Sequence, residues 1–164
     1  MQYELQDLLR VRDHRKDHAQ EVLMKAKQAL EEALKHIQLC QEKLDAFIQK
    51  KPDFIDIIYT KVMQKVQFKR NYMDVINLKV NKLEEHQLKL AIDLEKAHNH
   101  YKEAQQKVTE ASEALRQAML EKDKIEEHKK IWKEEVRILD EREQDKELED
   151  FKTKEKDGSG QNCS

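Results

Sequence analysis

The chain has 164 residues, 40% of them Asp, Glu, Lys or Arg, with two glycines and one proline, too few turn residues for a compact domain built on ordinary loops. Its 32 basic and 34 acidic residues are intermixed and leave a formal net charge of −2, so no basic face argues for a nucleic-acid partner. Glycine only at Gly158 and Gly160 excludes a phosphate-cradling loop, and no run of about 18 apolar residues is present to insert in a membrane.

The first stretch, MQYELQDLLRVRDHRK, has neither an apolar h-region nor a small-residue cleavage site, so an unexported chain is expected. A heptad pattern begins at once. Position a holds Leu9, Lys16, Leu23, Leu30, Ile37 and Leu44; position d holds Leu5, Arg12, Ala19, Ala26, Ala33, Cys40 and Phe47. One line is large and the other small, and together they read as a coiled-coil seam on a long helix. His14 and His18 share a helix face at metal-ligand spacing. They lack a third ligand and a metalloprotease glutamate, so a solvated face is the better reading and no metal is expected. Cys40 lies on the seam and Cys163 in the tail DGSGQNCS; reduced thiols are expected.

The single proline, Pro52, falls in QKKPDF. Folding the chain back there would leave the later seam from Tyr101 to Leu139 without a partner. Pro52 is therefore read as a kink or short break in the first arm, since it removes a helical hydrogen bond and crowds the preceding turn. The stretch that follows is rich in aromatic and β-branched residues, among them Phe54, Ile57, Ile58, Tyr59 and Phe68. The turn is predicted near residues 67–71, with Asn71 suited to the left-handed conformation that ends a helix.

The second arm sustains about nine heptads without a stutter. Position d holds Leu83, Leu90, Ala97, Ala104, Ala111, Ala118, Ile125, Trp132 and Leu139. Position a holds Val80, Leu94, Tyr101, Val108, Leu115 and Val136, with Gln87, Lys122 and Lys129 as polar exceptions. Pairs Glu85–Lys89, Glu103–Lys107 and Glu126–Lys130 have the favourable helical spacing. In an antiparallel pair a residues face d residues, and one register sets Leu23 against Ala118, Leu30 against Ala111, Ile37 against Ala104 and Leu9 against Trp132. Large then meets small along the seam, as void-free packing requires. A register shifted by one heptad, with Leu23 against Ala111 and Leu9 against Ile125, fits nearly as well.

The predicted fold is thus all-α: a long antiparallel two-helix coiled-coil hairpin over residues 1–152, monomeric, with a disordered polar tail over 153–164. Trp132 fits either seam packing or a partner anchor. Arg12, Lys16, Lys122 and Lys129 fit either snorkelling stems that specify register or a basic section that reads an acidic partner. Acid pairs such as Glu84 and Glu85 lie on exposed faces with no concavity, so neither an enzyme nor a cofactor is expected.

The opening LQDLLRVRDHRKDHAQEVL, with Leu5, Leu8, Leu9, Arg12, Arg15 and Ala19, resembles the start of the type III secretion stalk proteins of the YscO/FliJ type. The length, the two-arm hairpin and the acidic end HKKIWKEEVRILDEREQDKELEDF are similar too. The resemblance implies a non-enzymatic protein at the cytoplasmic base of a bacterial secretion apparatus. Its terminal end would sit in the ring of the secretion ATPase, its tip would face the export gate, and secretion chaperones are further partners. Under that reading Arg12, Arg15, Lys16, Lys122 and Lys129 meet the ATPase, and Phe54, Ile57, Ile58, Tyr59 and Phe68 meet the gate or a chaperone. The rival classes are a holdase-type chaperone that clamps clients with an apolar tip, and a generic coiled-coil scaffold.

Overall fold

A computed structural model describes residues 3–65, 67 and 69–158. They form two helices, α1 (Gln6–Met63) and α2 (Arg70–Gly158), with no strand among the described residues. Long helices follow from the near absence of glycine and proline and the wealth of Ala, Leu, Glu, Lys and Gln, the strongest helix formers. The helices contribute to two compact units, an inner one of Glu21–Glu113 and a terminal one of Met1–Gln20 with Ala114–Ser164.

The inner unit is a helical hairpin. Its seam follows the sequence pattern: Ala33, Cys40, Ala97, Ala104 and Ala111 are buried, and Leu23, Leu30, Ile37, Leu44, Leu94 and Val108 are half-buried. Small residues on one arm let the large ones of the other come close, so an alanine here fills its space as fully as a leucine would elsewhere. Lys51 donates to Gln87 Oε1 at 2.8 Å, and the rings of Phe47 and His86 meet edge-on at 4.8 Å between centroids. The Phe47–His86 contact belongs to the shifted register, which sets Ile37 opposite Ala97, whereas Lys51–Gln87 lies beyond it, where the heptad gives way. The register with Ile37 opposite Ala104 is thereby replaced.

Three corrections concern the tip. First, α1 is not broken at Pro52 but runs on to Met63. Pro52 sits on an exposed position, and the Ile48 carbonyl that it cannot bond is on an exposed residue, so the lost helical bond falls on the solvent side. Second, the turn comes earlier than predicted, because α1 ends at Met63 and α2 starts at Arg70. Asn71 therefore lies in the first turn of α2, and no non-glycine residue among those described has positive φ. Third, the heptad gives way. Inward positions pass through Phe47, Lys51, Ile55, Ile58 and Val62 on α1, and through Tyr72, Ile76, Val80 and Leu83 on α2. Each series contains two successive four-residue steps, a stutter that locally unwinds a coiled coil. Ile76, at the centre of the α2 stutter, is 0% exposed, the deepest apolar burial among the described residues, and Val62 on α1 is 5% exposed. Lys65 closes the turn with its Nζ 4.8 Å from the centroid of the Tyr72 ring.

In the terminal unit the start of α1 packs on α2 through half-buried Leu5, Leu9, Arg12, Lys16, Leu115, Ala118, Lys122, Ile125, Lys129, Trp132 and Val136. Beyond them α2 continues with every side chain from Arg137 to Lys156 exposed. Leu139, assigned to the seam from its heptad position, is 47% exposed, because the shifted register exhausts α1 before Leu139 is reached. The helix also continues through Thr153 to Gly158, the first residues of the stretch predicted as a tail; the rest of that stretch lies outside the described residues.

Candidate functional site

In the terminal unit Arg12, Lys16, Lys122 and Lys129 fall into a row of three neighbouring polar contacts. Arg12 Nη1 donates to Glu121 Oε2 across the two helices, while its Nε is buried with no partner among the described residues. At the next residue, Asp13 Oδ1 accepts from Lys122 Nζ at 2.9 Å and from Lys16 Nζ at 3.2 Å. Lys16 also reaches Asp17 at 3.0 Å, and Lys122 reaches Glu126 at 3.3 Å. Toward the chain start Lys129 Nζ donates to Gln6 Oε1 at 2.6 Å and lies 5.8 Å from the centroid of the Tyr3 ring.

Titration follows that geometry. Hydrogen bonds from Lys122 and then Lys16 hold the Asp13 carboxyl below its ordinary range. Asp17 and Asp13 push the Lys16 ammonium up, and Asp13 and Glu126 do the same for Lys122. The cations at the polar seam positions therefore each find a partner within the unit, although Arg12 keeps its Nε unpartnered among the described residues. The heads of Arg12, Lys16 and Lys122 reach carboxylates, and that of Lys129 reaches the amide oxygen of Gln6.

This bears directly on the five cations predicted to meet an ATPase. Arg12, Lys16, Lys122 and Lys129 come together with Asp13, Glu121, Glu126 and Gln6 in that row. Arg15 is the exposed one of the five, with neither an ion pair nor a hydrogen bond among the described residues, while Lys129 has no ion pair but keeps Gln6 and the Tyr3 ring as neighbours. Sequence reading found the cations but not their carboxylates, because Asp13 and Glu121 sit outside positions a and d. Tyr3 was also missed. It is 6% exposed, lies 5.2 Å from Trp132 between ring centroids, and its hydroxyl is 2.8 Å from His128 Nδ1 and donates at 3.4 Å to the Ile125 carbonyl. Tyr3 precedes α1 and falls at neither position a nor position d of the heptad pattern, so the repeat did not betray it. Trp132 is half-buried against it, which fits seam packing.

The apolar set predicted at the tip divides by face. Ile58 is half-buried on the seam, whereas Phe54, Ile57 and Tyr59 are 39%, 49% and 39% exposed. Phe68 lies outside the described residues. Met63, Met73, Val75 and Leu78 extend the exposed apolar surface of the tip, and sequence reading had not singled them out. An array of exposed Met and aromatic side chains suits an adaptable protein contact more than a single rigid ligand.

Among the described residues no group of three His, Cys, Asp or Glu side chains converges as metal ligands, and no helix is long and apolar enough to cross a membrane. Residues 5–154 match the family model described as type III secretion protein YscO. Neither the curated proteins nor the solved structures give a match.

Proposed function

The chain belongs to the YscO family of type III secretion proteins, and from that premise we propose that it acts as a non-enzymatic stalk between the secretion ATPase and the export gate, at the cytoplasmic base of the apparatus. The family match across residues 5–154 carries the reading, and the contrast in surface chemistry supports it. The terminal unit offers charge and few exposed aromatics, suited to a contact in an ATPase ring that has to form and release. The tip offers exposed Phe54, Ile57, Tyr59 and Met63, suited to the gate or a secretion chaperone. Of the five cations assigned to the ATPase, Arg15 is the one whose charge is uncommitted; Arg12, Lys16, Lys122 and Lys129 act through the shape of the terminal unit.

Two variants of exposed residues separate the ends. Arg15→Glu should weaken binding to the ATPase and its stimulation, with the larger loss at low salt where charge is least screened. Ile57→Asp should leave that binding intact and abolish secretion. The inverse outcome would exchange the two ends. If the wild-type protein neither binds nor stimulates any secretion ATPase but suppresses client aggregation, the stalk falls and a holdase-type chaperone replaces it.

A further inference from the structure

One side of the inner hairpin is an open groove. Two recesses, of about 260 Å³ and about 430 Å³, share Lys43 and Leu90. Their floor is Cys40, Ala46, Phe47 and Leu90, and Phe54 bounds one end with its ring 6.3 Å from that of Phe47. Because two helices cannot enclose a seam alone, Phe47 and Leu90 remain half-buried there.

The rims of this groove are cationic. Lys43 and Lys50 line it from α1, and Lys96 lines it from α2. Lys82 and Lys89 precede Lys96 at heptad spacing and so share its face. All five lysines are exposed, and none forms an ion pair among the described residues. Even Lys89, at favourable spacing from Glu85, leaves that pair open, whereas Lys35 on another face closes its pair with Glu31 at 2.8 Å. Asp93 is the one carboxylate among the residues lining the two recesses.

An apolar floor between lysine rims is complementary to a helix with one apolar stripe flanked by Asp and Glu. We infer that the groove is the docking site for an acidic amphipathic helix of a partner protein, laid along the α1–α2 seam from His36 to Phe54. The lined stretch is long enough for about five helical turns. In that position the partner completes a local three-helix bundle, buries the exposed edges of Phe47 and Leu90, and pairs with Lys43, Lys50 and Lys96. The inference goes beyond the two-ended stalk and does not rest on it, since the groove lies along the side of the inner hairpin.

The test uses the full-length protein and a fluorescein-labelled acidic helical peptide of about 18 residues, with leucine at a and d and glutamate on the flanks. Anisotropy should show saturable binding that weakens as salt rises. Lys43→Glu with Lys50→Glu should reduce affinity by about tenfold or more. Ala46→Gln, which fills the floor without touching a charge, should also reduce it. Circular dichroism melts should show all variants folded, as the altered positions are exposed. Absence of binding, or binding indifferent to both variants, overturns the inference. So does equal binding by a scrambled peptide of the same composition, by single-stranded DNA or by anionic phospholipid vesicles, each of which brings charge without the stripe.

Discussion

The inner and terminal units share a heptad pattern and fill it with different chemistry. In the inner unit the seam is made of alanines against leucines, with Ala33, Ala97, Ala104 and Ala111 at most 7% exposed, and the exposed lysines beside it are unpaired. In the terminal unit Arg12, Lys16, Lys122 and Lys129 occupy seam positions, and each is met by an oxygen of the same unit. Apolar burial is insensitive to salt and pH and stabilises by about 25 cal/mol per Å². Half-exposed ion pairs contribute roughly 0–1 kcal/mol each and fade with screening. The inner unit is therefore held by packing, whereas the terminal unit adds to its apolar packing ion pairs that conditions can weaken. Amide exchange should be more salt-dependent in the terminal unit than in the inner one.

The largest test of that contrast is Ile76→Ala. Ile76 is fully buried where the heptad stutters, and an isoleucine truncated to alanine in a core costs about 2–5 kcal/mol. Urea denaturation followed by circular dichroism measures it. A loss under about 1 kcal/mol would show that the tip yields to fill the space, and the inner unit would lose its claim to tight packing.

A smaller effect is expected from adding volume. Ala104→Leu, at a position 5% exposed, should overpack the seam and cost on the order of 1–3 kcal/mol. The same change at exposed Gln106 should stay within about 0.5 kcal/mol. Coincident melts would mean that the alanine line is not where the two arms meet.

Which parts were legible follows from what periodicity encodes. A repeat of seven names the residues that face inward, so the alanine line, the leucine line and the two long helices could be read directly. It does not say how far one arm slides along the other, because every heptad offers a similar large-to-small match. The register was decided by unlike neighbours, such as Phe47 with His86 and Gln6 with Lys129, that no repeat predicts. Pro52 was legible only in part, because the sequence left kink and break open and the helix runs through it without a break. Its effect depends on whether the orphaned carbonyl faces water, and the exposed Ile48 lets the helix continue. Among the site residues, charge at seam positions was visible, but its neutralisation by Asp13 and Glu121 needed the third dimension. Arg15 looked like one cation among five and emerges as the uncommitted one.

The finest test probes the terminal unit through pH. Lys122 and then Lys16 lower the Asp13 carboxyl in the folded state relative to the unfolded chain. A depressed carboxylate contributes stability above its unfolded pKa, and that contribution is lost as pH falls through the folded value. Asp13 should thus stabilise the terminal unit at neutral pH and stop doing so in acid, below about pH 4. Asp13→Asn removes the charge at every pH while keeping the side chain's size. The variant should be slightly less stable than wild type at pH 7, and the difference should vanish as both are acidified. The effect is small because Lys16 keeps Asp17 and Lys122 keeps Glu126 as partners. Melts of the two proteins across pH 2–7 (roughly the carboxylate titration range) measure it, with amide exchange at residues 6–20 as the local readout. A difference that persists at the lowest pH would mean that Asp13 acts through its shape and not its charge, and the terminal unit would then be held by packing as the inner one is.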